Sequence, residues 1–191
     1  MLESLITSRT RVKMLLKFFL NSHSKAHLRG LADEFGESTN SIRHELNNLS
    51  QAGYLVSNSK GKMIEYSANV KHPLYPEIKG LVHKYLGIDK IIDHVINKVV
   101  PRLGKVEMVF ITGDYAKGMD TGIIDLVFIG KIDASYLNTC VVKAEGLIHR
   151  RIRTIVLSAE EFGRNKKNLQ VETALVLFTG GSGELAVGSG Q

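Results

Sequence analysis

The chain has 191 residues, of which 43% are hydrophobic and 23% charged, the composition of a folded globular protein. No apolar run approaches the roughly 20 residues that a membrane-spanning helix needs, and a single cysteine, Cys140, excludes an internal disulfide and any cysteine-based zinc finger. A net charge of +6 points to a polyanionic partner, and its excess lies early: residues 1–72 carry 10 Lys/Arg, 6 Asp/Glu and 4 of the 7 histidines.

The first residues include the acidic Glu3 and offer no basic stretch leading into an apolar one, so no signal peptide is expected and the compartment reads as cytoplasmic. Beyond Ser8, the spacing of Val12, Leu15, Leu16, Phe19 and Leu20 predicts an amphipathic helix, broken by the polar run Asn21 to Lys25. A second, shorter helix is predicted from about His27 to Phe35, with Leu28, Leu31, Ala32 and Phe35 on one face and Gly36 as its stop. Ser38 is placed to cap a third helix running to about Ala52, where Gly53 ends it.

That third helix carries the functional argument. Ile42, Leu46 and Leu49 form its buried stripe, which leaves Thr39, Asn40, Ser41, Arg43, His44 and Asn47 as candidates for contact with DNA. Arginine forks onto guanine, asparagine onto adenine, and hydroxyls hold phosphates. A solvated face is the alternative when the helix is taken alone. The next residues of the chain weigh against it: strand Tyr54-Leu55-Val56, a polar tip Ser57 to Lys62, and strand Met63 to Tyr66 predict a β-hairpin with Lys60 and Lys62 at its end, expected to contact DNA at flanking phosphates or in the minor groove. Helix, two helices joined by a tight turn, then hairpin is the order of a winged helix-turn-helix. The stretch Ala52-Gly53-Tyr54-Leu55-Val56 also resembles the junction between recognition helix and wing in regulators of the ArsR/MarR type.

Two of the three prolines, Pro73 and Pro76, mark a boundary near residues 70–76. Helical patterning resumes at Ile78, Leu81, Val82, Tyr85 and Leu86, and again from Ile88 to Val99 before Pro101. Three regions are expected: 1–72, a DNA-binding domain; 73–104, a helical connector; and 105–191, a second domain. Tyr66-Ser67-Ala68-Asn69, His72 to Ile78 and Lys84-Tyr85-Leu86-Gly87 resemble the connector of proteins that fuse a winged helix to a minimal nucleotidyltransferase domain.

The last region alternates strands and helices: strand Val106–Thr112, strand Ile123–Gly130, helix Ala134–Arg150, strand Arg153–Leu157, a helix from Ser158, and strand Ala174–Phe178. Together the two domains predict an α/β (α+β) fold class. The run Gly113 to Gly118, followed by Asp125 on a strand, is similar to the nucleotidyltransferase signature Gly-Ser-x-Ala-Arg-Gly, loop, Ser-Asp-x-Asp-Leu. In that family, the Gly-Ser turn receives a triphosphate and two aspartates hold divalent metal. Here Gly113, Ala116, Lys117, Gly118 and Asp125 match that pattern, but Asp114 replaces the serine and Ile123 the first aspartate. The strand Arg153-Thr154-Ile155-Val156-Leu157 supplies no third acid, and Asp120 is a loop residue that offers only a poor stand-in.

The resemblance therefore implies a scaffold kept and a catalysis lost, with no catalytic residue, metal or cofactor. Asp125 could hydrogen-bond the Gly113–Ala116 turn, and Gly113, Asp114, Lys117, Gly118 and Asp125 remain a possible ligand site, better suited to a neutral or cationic ligand than to ATP. The cluster His149-Arg150-Arg151-Arg153 reads as a helix-end charge group, and Gly180-Gly181-Ser182-Gly183 lacks the following lysine of a P-loop. The leading expectation is a DNA-binding transcriptional regulator: a homodimer on double-stranded DNA with a small-molecule or protein effector, off the membrane. An active nucleotidyltransferase targeted by its winged helix is the alternative, and a non-enzymatic protein-interaction module is a third.

Overall fold

The computed structural model describes residues 5–61 and 63–180, and the chain divides into two compact units, one ending at Tyr85 and the other beginning at Leu86. Both mix helices with a small sheet, so the fold class is α+β. The helical stretch expected over 73–104 is shared between the units, its first helix with the first and the remainder with the second.

In the first unit, α1 (Arg9–Phe19) is followed by β1 (Lys25–His27), α2 (Leu28–Phe35), α3 (Thr39–Gln51), β2 (Leu55–Lys60), β3 (Met63–Ala68) and α4 (Tyr75–Leu86). This is the winged helix-turn-helix arrangement: helix α1, the pair α2–α3, and a three-stranded antiparallel sheet in the order β1-β3-β2. Ser8 caps α1 by accepting from the Arg11 amide, and α1 is sunk deeper than a one-sided stripe predicts: Met14 and Phe18 are fully buried along with Phe19. A helix covered on most sides is a core helix. Phe19 packs on Tyr75 of α4 at 5.6 Å between ring centroids, and the buried His83 of α4 lies with Nε2 3.3 Å from the Leu20 carbonyl.

The chain leaves α2 through Gly36, in the left-handed region, and enters α3 through Ser38, whose hydroxyl accepts from the Ser41 amide. The hairpin is in register from Leu55 opposite Ala68 to Lys60 opposite Met63. Strand β1 is not visible in the sequence pattern: Lys25-Ala26-His27 is too short and polar to show alternation, and it forms by pairing with Ser67, Tyr66 and Glu65.

The second unit starts with a single α-helical turn, α5 (Ile88–Ile91), that widens into a π-helix over Ile92–Val99, where the Val100 amide donates to the Val95 carbonyl. Then come β4 (Gly104–Thr112), the one-turn helix α6 (Gly113–Ala116), β5 (Ile123–Ile132), α7 (Ala134–Ile148), β6 (Arg151–Leu157), α8 (Ala159–Asn165) and β7 (Leu175–Thr179). The sheet is mixed, in the order β6-β5-β4-β7. β4 runs antiparallel to β5 and β7, while β6 returns parallel to β5 after the α7 crossover. Continuous apolar runs show strands covered on both faces: Val109, Phe110 and Ile111, like Leu126, Val127 and Phe128, are fully buried. Phe110, Val127, Ile129 and Leu169 form one cluster, with Phe162 of α8 packed against it. Helix α7 ends two residues before the predicted Arg150, because His149 turns into the left-handed region and frees Arg151 to begin β6.

Candidate nucleic-acid interface

Helix α3 presents a polar stripe because its other side is fixed in the core. Ile42, Leu46 and Leu49 are buried as the spacing predicts, and so is Glu45, at 6% exposure. Thr39, Asn40, Arg43, His44 and Asn47 are exposed, and steps of one, three, one and three residues keep them on one side of the helix. Arg43 Nη1 donates to the Asn40 side-chain oxygen at 2.9 Å, which orients the guanidinium along the first turn. Ser41 turns the other way. Half-buried, it lies 3.2 Å from the Thr10 hydroxyl and donates to Glu37 at 3.4 Å, so it braces the helix rather than sharing the exposed stripe.

The acids near α3 are neutralised by α1. Glu45 accepts from Arg11 Nε at 2.9 Å and from the Ser8 hydroxyl at 2.8 Å. Glu37, in the turn before α3, accepts from Lys13 at 2.9 Å and from the Thr10 hydroxyl. Burial works against the charged Glu37, but the hydrogen bonds from Lys13, Thr10 and Ser41, with the Lys13 charge, outweigh it and hold its carboxyl below the ordinary range. A third pair, Lys17 with Glu34 at 2.8 Å, ties α1 to α2. The exposed stripe of α3 thus carries no negative charge. Sequence reasoning missed these pairs, although Glu45 stands between Ile42 and Leu49 on the buried side and its inward course was readable from that spacing.

On the hairpin, the Lys60 backbone closes β2 opposite Met63; Lys62 lies outside the described residues.

The second unit places the signature-like residues around one end of its sheet. Gly113, at φ +73, follows β4 directly, and a Cβ there would stand 2.8 Å from Asp125 Oδ2, so glycine is required both by the backbone and by the approach of that carboxylate. Asp114 is exposed at the turn; its carbonyl accepts from the Lys117 and Met119 amides. Gly118 is buried. Tyr115, also buried, donates its hydroxyl to the Leu86 carbonyl.

Asp125 does not face an open site. Arg153, its register partner on the parallel strand β6, forks onto it, with Nε 2.6 Å from Oδ1 and Nη2 2.9 Å from Oδ2. The hydrogen bond and charge of Asp125, with the nearby Asp114, raise the Arg153 pKa further. Asp120 is similarly held by Arg150, at 2.6 Å. Arg151 lies 3.7 Å from Glu145. The basic run after α7 thus makes three ion pairs, and it also serves the end of that helix, where Arg150 Nη1 donates to the Ile148 carbonyl at 3.2 Å. An open hollow of about 420 Å³, lined by Gly122, Glu145, His149, Arg150 and Arg151 among others, lies beside these pairs. Among the described residues no group of three or more His, Cys, Asp or Glu is placed to hold a metal ion, and no helix is long and apolar enough to cross a membrane. The glycine run from Gly181 onward lies outside the described residues.

No protein-family model matches the chain, and no curated protein matches it in sequence. Among solved structures, it is similar to a protein of Sulfolobus solfataricus assigned as a nucleotidyltransferase, with 20% identity and a TM-score of 0.35, covering 55% of this chain and 88% of the other. It is also similar to the transcriptional regulator BldR of Sulfolobus solfataricus, with 17% identity, a TM-score of 0.32, and coverage of 53% and 80%. A third is TrmBL2, an archaeal chromatin protein with a novel mode of DNA binding, with 18% identity, a TM-score of 0.25, and coverage of 86% and 77%. These likenesses are distant, and the geometry of α3 and of the Gly113 turn is this chain's own.

Proposed function

We propose that the protein is a DNA-binding transcriptional regulator that reads the major groove with α3. One observation carries this reading: Thr39, Asn40, Arg43, His44 and Asn47 form an exposed stripe free of acids on the second helix of a winged helix-turn-helix. Hydrogen-bond donors and acceptors suited to base edges stand where such a helix meets a duplex, and Glu45 and Glu37 are turned inward onto Arg11 and Lys13. A single winged helix covers little DNA, which favours a homodimer on paired half-sites.

The second unit serves, in this reading, as a dimerisation, effector-binding or partner-binding module rather than as a nucleotidyltransferase. The Asp125–Arg153 fork supports that assignment. A carboxylate with both oxygens engaged by a guanidinium is poorly placed to hold a divalent cation, and Ile123, two residues earlier on β5, has no ligating atom. Selection of the purified chain against a random duplex library, with sequencing of the retained fragments and a salt titration, tests the proposal. Enrichment of one two-fold symmetric motif with a steep salt slope is the expected result. Retention of no motif, together with metal-dependent incorporation of labelled nucleotide, would transfer the function to the second unit.

A further inference from the structure

The tip of the hairpin carries apolar side chains that the core does not use. At its base, Leu55 and Ala68 are buried at 3% and 6% exposure, but Met63 and Ile64, next to the turn, are exposed by 58% and 48%. Strand β2 keeps the expected polarity for an exposed ribbon, with Ser57, Asn58 and Ser59 in water. Met63 pairs with Lys60, and Ile64 with Ser59, so the two side chains stand on opposite faces of the ribbon at its far end. No acid occurs from Leu55 to Ile64, and the first one after it, Glu65, lies 3.5 Å from Lys25.

We infer that Met63 and Ile64 form a wedge that enters the minor groove beside the α3 contact and bends the duplex. This rests on the DNA-binding reading and adds the manner in which the hairpin engages its target. An end with one exposed apolar side chain on each face, in a stretch from Leu55 to Ile64 whose only charged residues by sequence are Lys60 and Lys62, calls for an occupant that is polyanionic outside and apolar within. A duplex is such an occupant: its phosphates rim a groove whose floor is stacked bases, and methionine and isoleucine are among the side chains that enter between base steps. An anionic bilayer shares those two properties. Duplex DNA is favoured because α3 of the same unit exposes Arg43, His44 and Asn47, groups that match base edges and have no counterpart in a lipid headgroup array.

The test uses the full chain and a duplex bearing its selected motif, labelled at both ends for energy transfer. The wild-type protein bends this duplex by about 20–90°, the range of side-chain wedges. Met63→Ser with Ile64→Ser abolishes the bend and weakens binding several-fold but leaves the preferred motif intact, whereas Val70→Ser, an equally exposed apolar site, changes neither. Met63→Leu with Ile64→Val restores the bend, which separates loss of the wedge from a disturbed hairpin. A straight duplex under the wild-type protein, or an equal bend under the double serine variant, overturns the wedge while motif selection still stands. Absence of any selected motif overturns the underlying DNA reading as well. If the double serine variant instead loses binding to vesicles of mixed phosphatidylcholine and phosphatidylserine, and bends DNA normally, the occupant is a membrane and the wedge assignment is wrong.

Discussion

Replacing Gly113 by alanine probes how the second unit holds its altered turn. The geometry imposes two separable costs. The residue sits at φ +73, where an L side chain costs about 1–2 kcal/mol. The new Cβ would also stand 2.8 Å from Asp125 Oδ2, well inside van der Waals contact. That oxygen cannot swing away freely, because Arg153 Nη2 holds it at 2.9 Å and Arg153 Nε holds its twin at 2.6 Å. In the Asp125→Ala background the collision disappears and only the backbone cost remains. The double variant is therefore less destabilised than the sum of the singles, with a coupling of about 0.5–3 kcal/mol, as for residues in direct contact. Hydrogen exchange by mass spectrometry on the full chain, read at peptides from β4 and β5, reports the local free energy of this unit apart from the other. Strict additivity would refute the claim that the carboxylate and the turn are packed against each other.

Other expectations concern single elements. Leu46→Ala empties a core position of α3 and should cost about 2–5 kcal/mol, seen as lost amide protection in that helix. Arg43→Ala, on the exposed side of the same helix, should leave that protection nearly unchanged while weakening specific DNA binding by about 1–3 kcal/mol. Glu37 has a folded-state carboxyl held below its unfolded value, so its contribution is present above the ordinary carboxylate range and disappears as pH falls through the lowered value. Acid titration of thermal stability should therefore show a loss in that window that Glu37→Gln flattens. Ser158 caps α8 in a reciprocal arrangement with Glu161, and Ser158→Ala should cost about 0.5–2 kcal/mol, measured as faster exchange in the first turn of that helix.

Much of the fold was legible because it rests on periodicity. The stripe Ile42, Leu46, Leu49 oriented α3, the Ser38 and Gly36 signals bounded the elements around it, and apolar runs located β4 and β5. What stayed hidden depended on partners distant in sequence. β1 exists only because β3 lies beside it. Ser41 read as a contact residue on composition, yet its hydroxyl is drawn toward Glu37 and Thr10 by the packing of α3 on α1. Arg153 read as part of a basic run because nothing in sequence spacing announces a parallel register with Asp125, 28 residues earlier. Ion pairing across strands is fixed by register, and register follows from the complete sheet.

Repeating the duplex-library selection with Arg43→Ala and with Asn47→Ala tests most directly whether α3 is the reading element. Each substitution should keep most of the enriched motif and erase the preference at particular, symmetric positions, with little change in the salt slope. An unchanged motif for both variants would contradict base reading by α3 and move recognition to another surface.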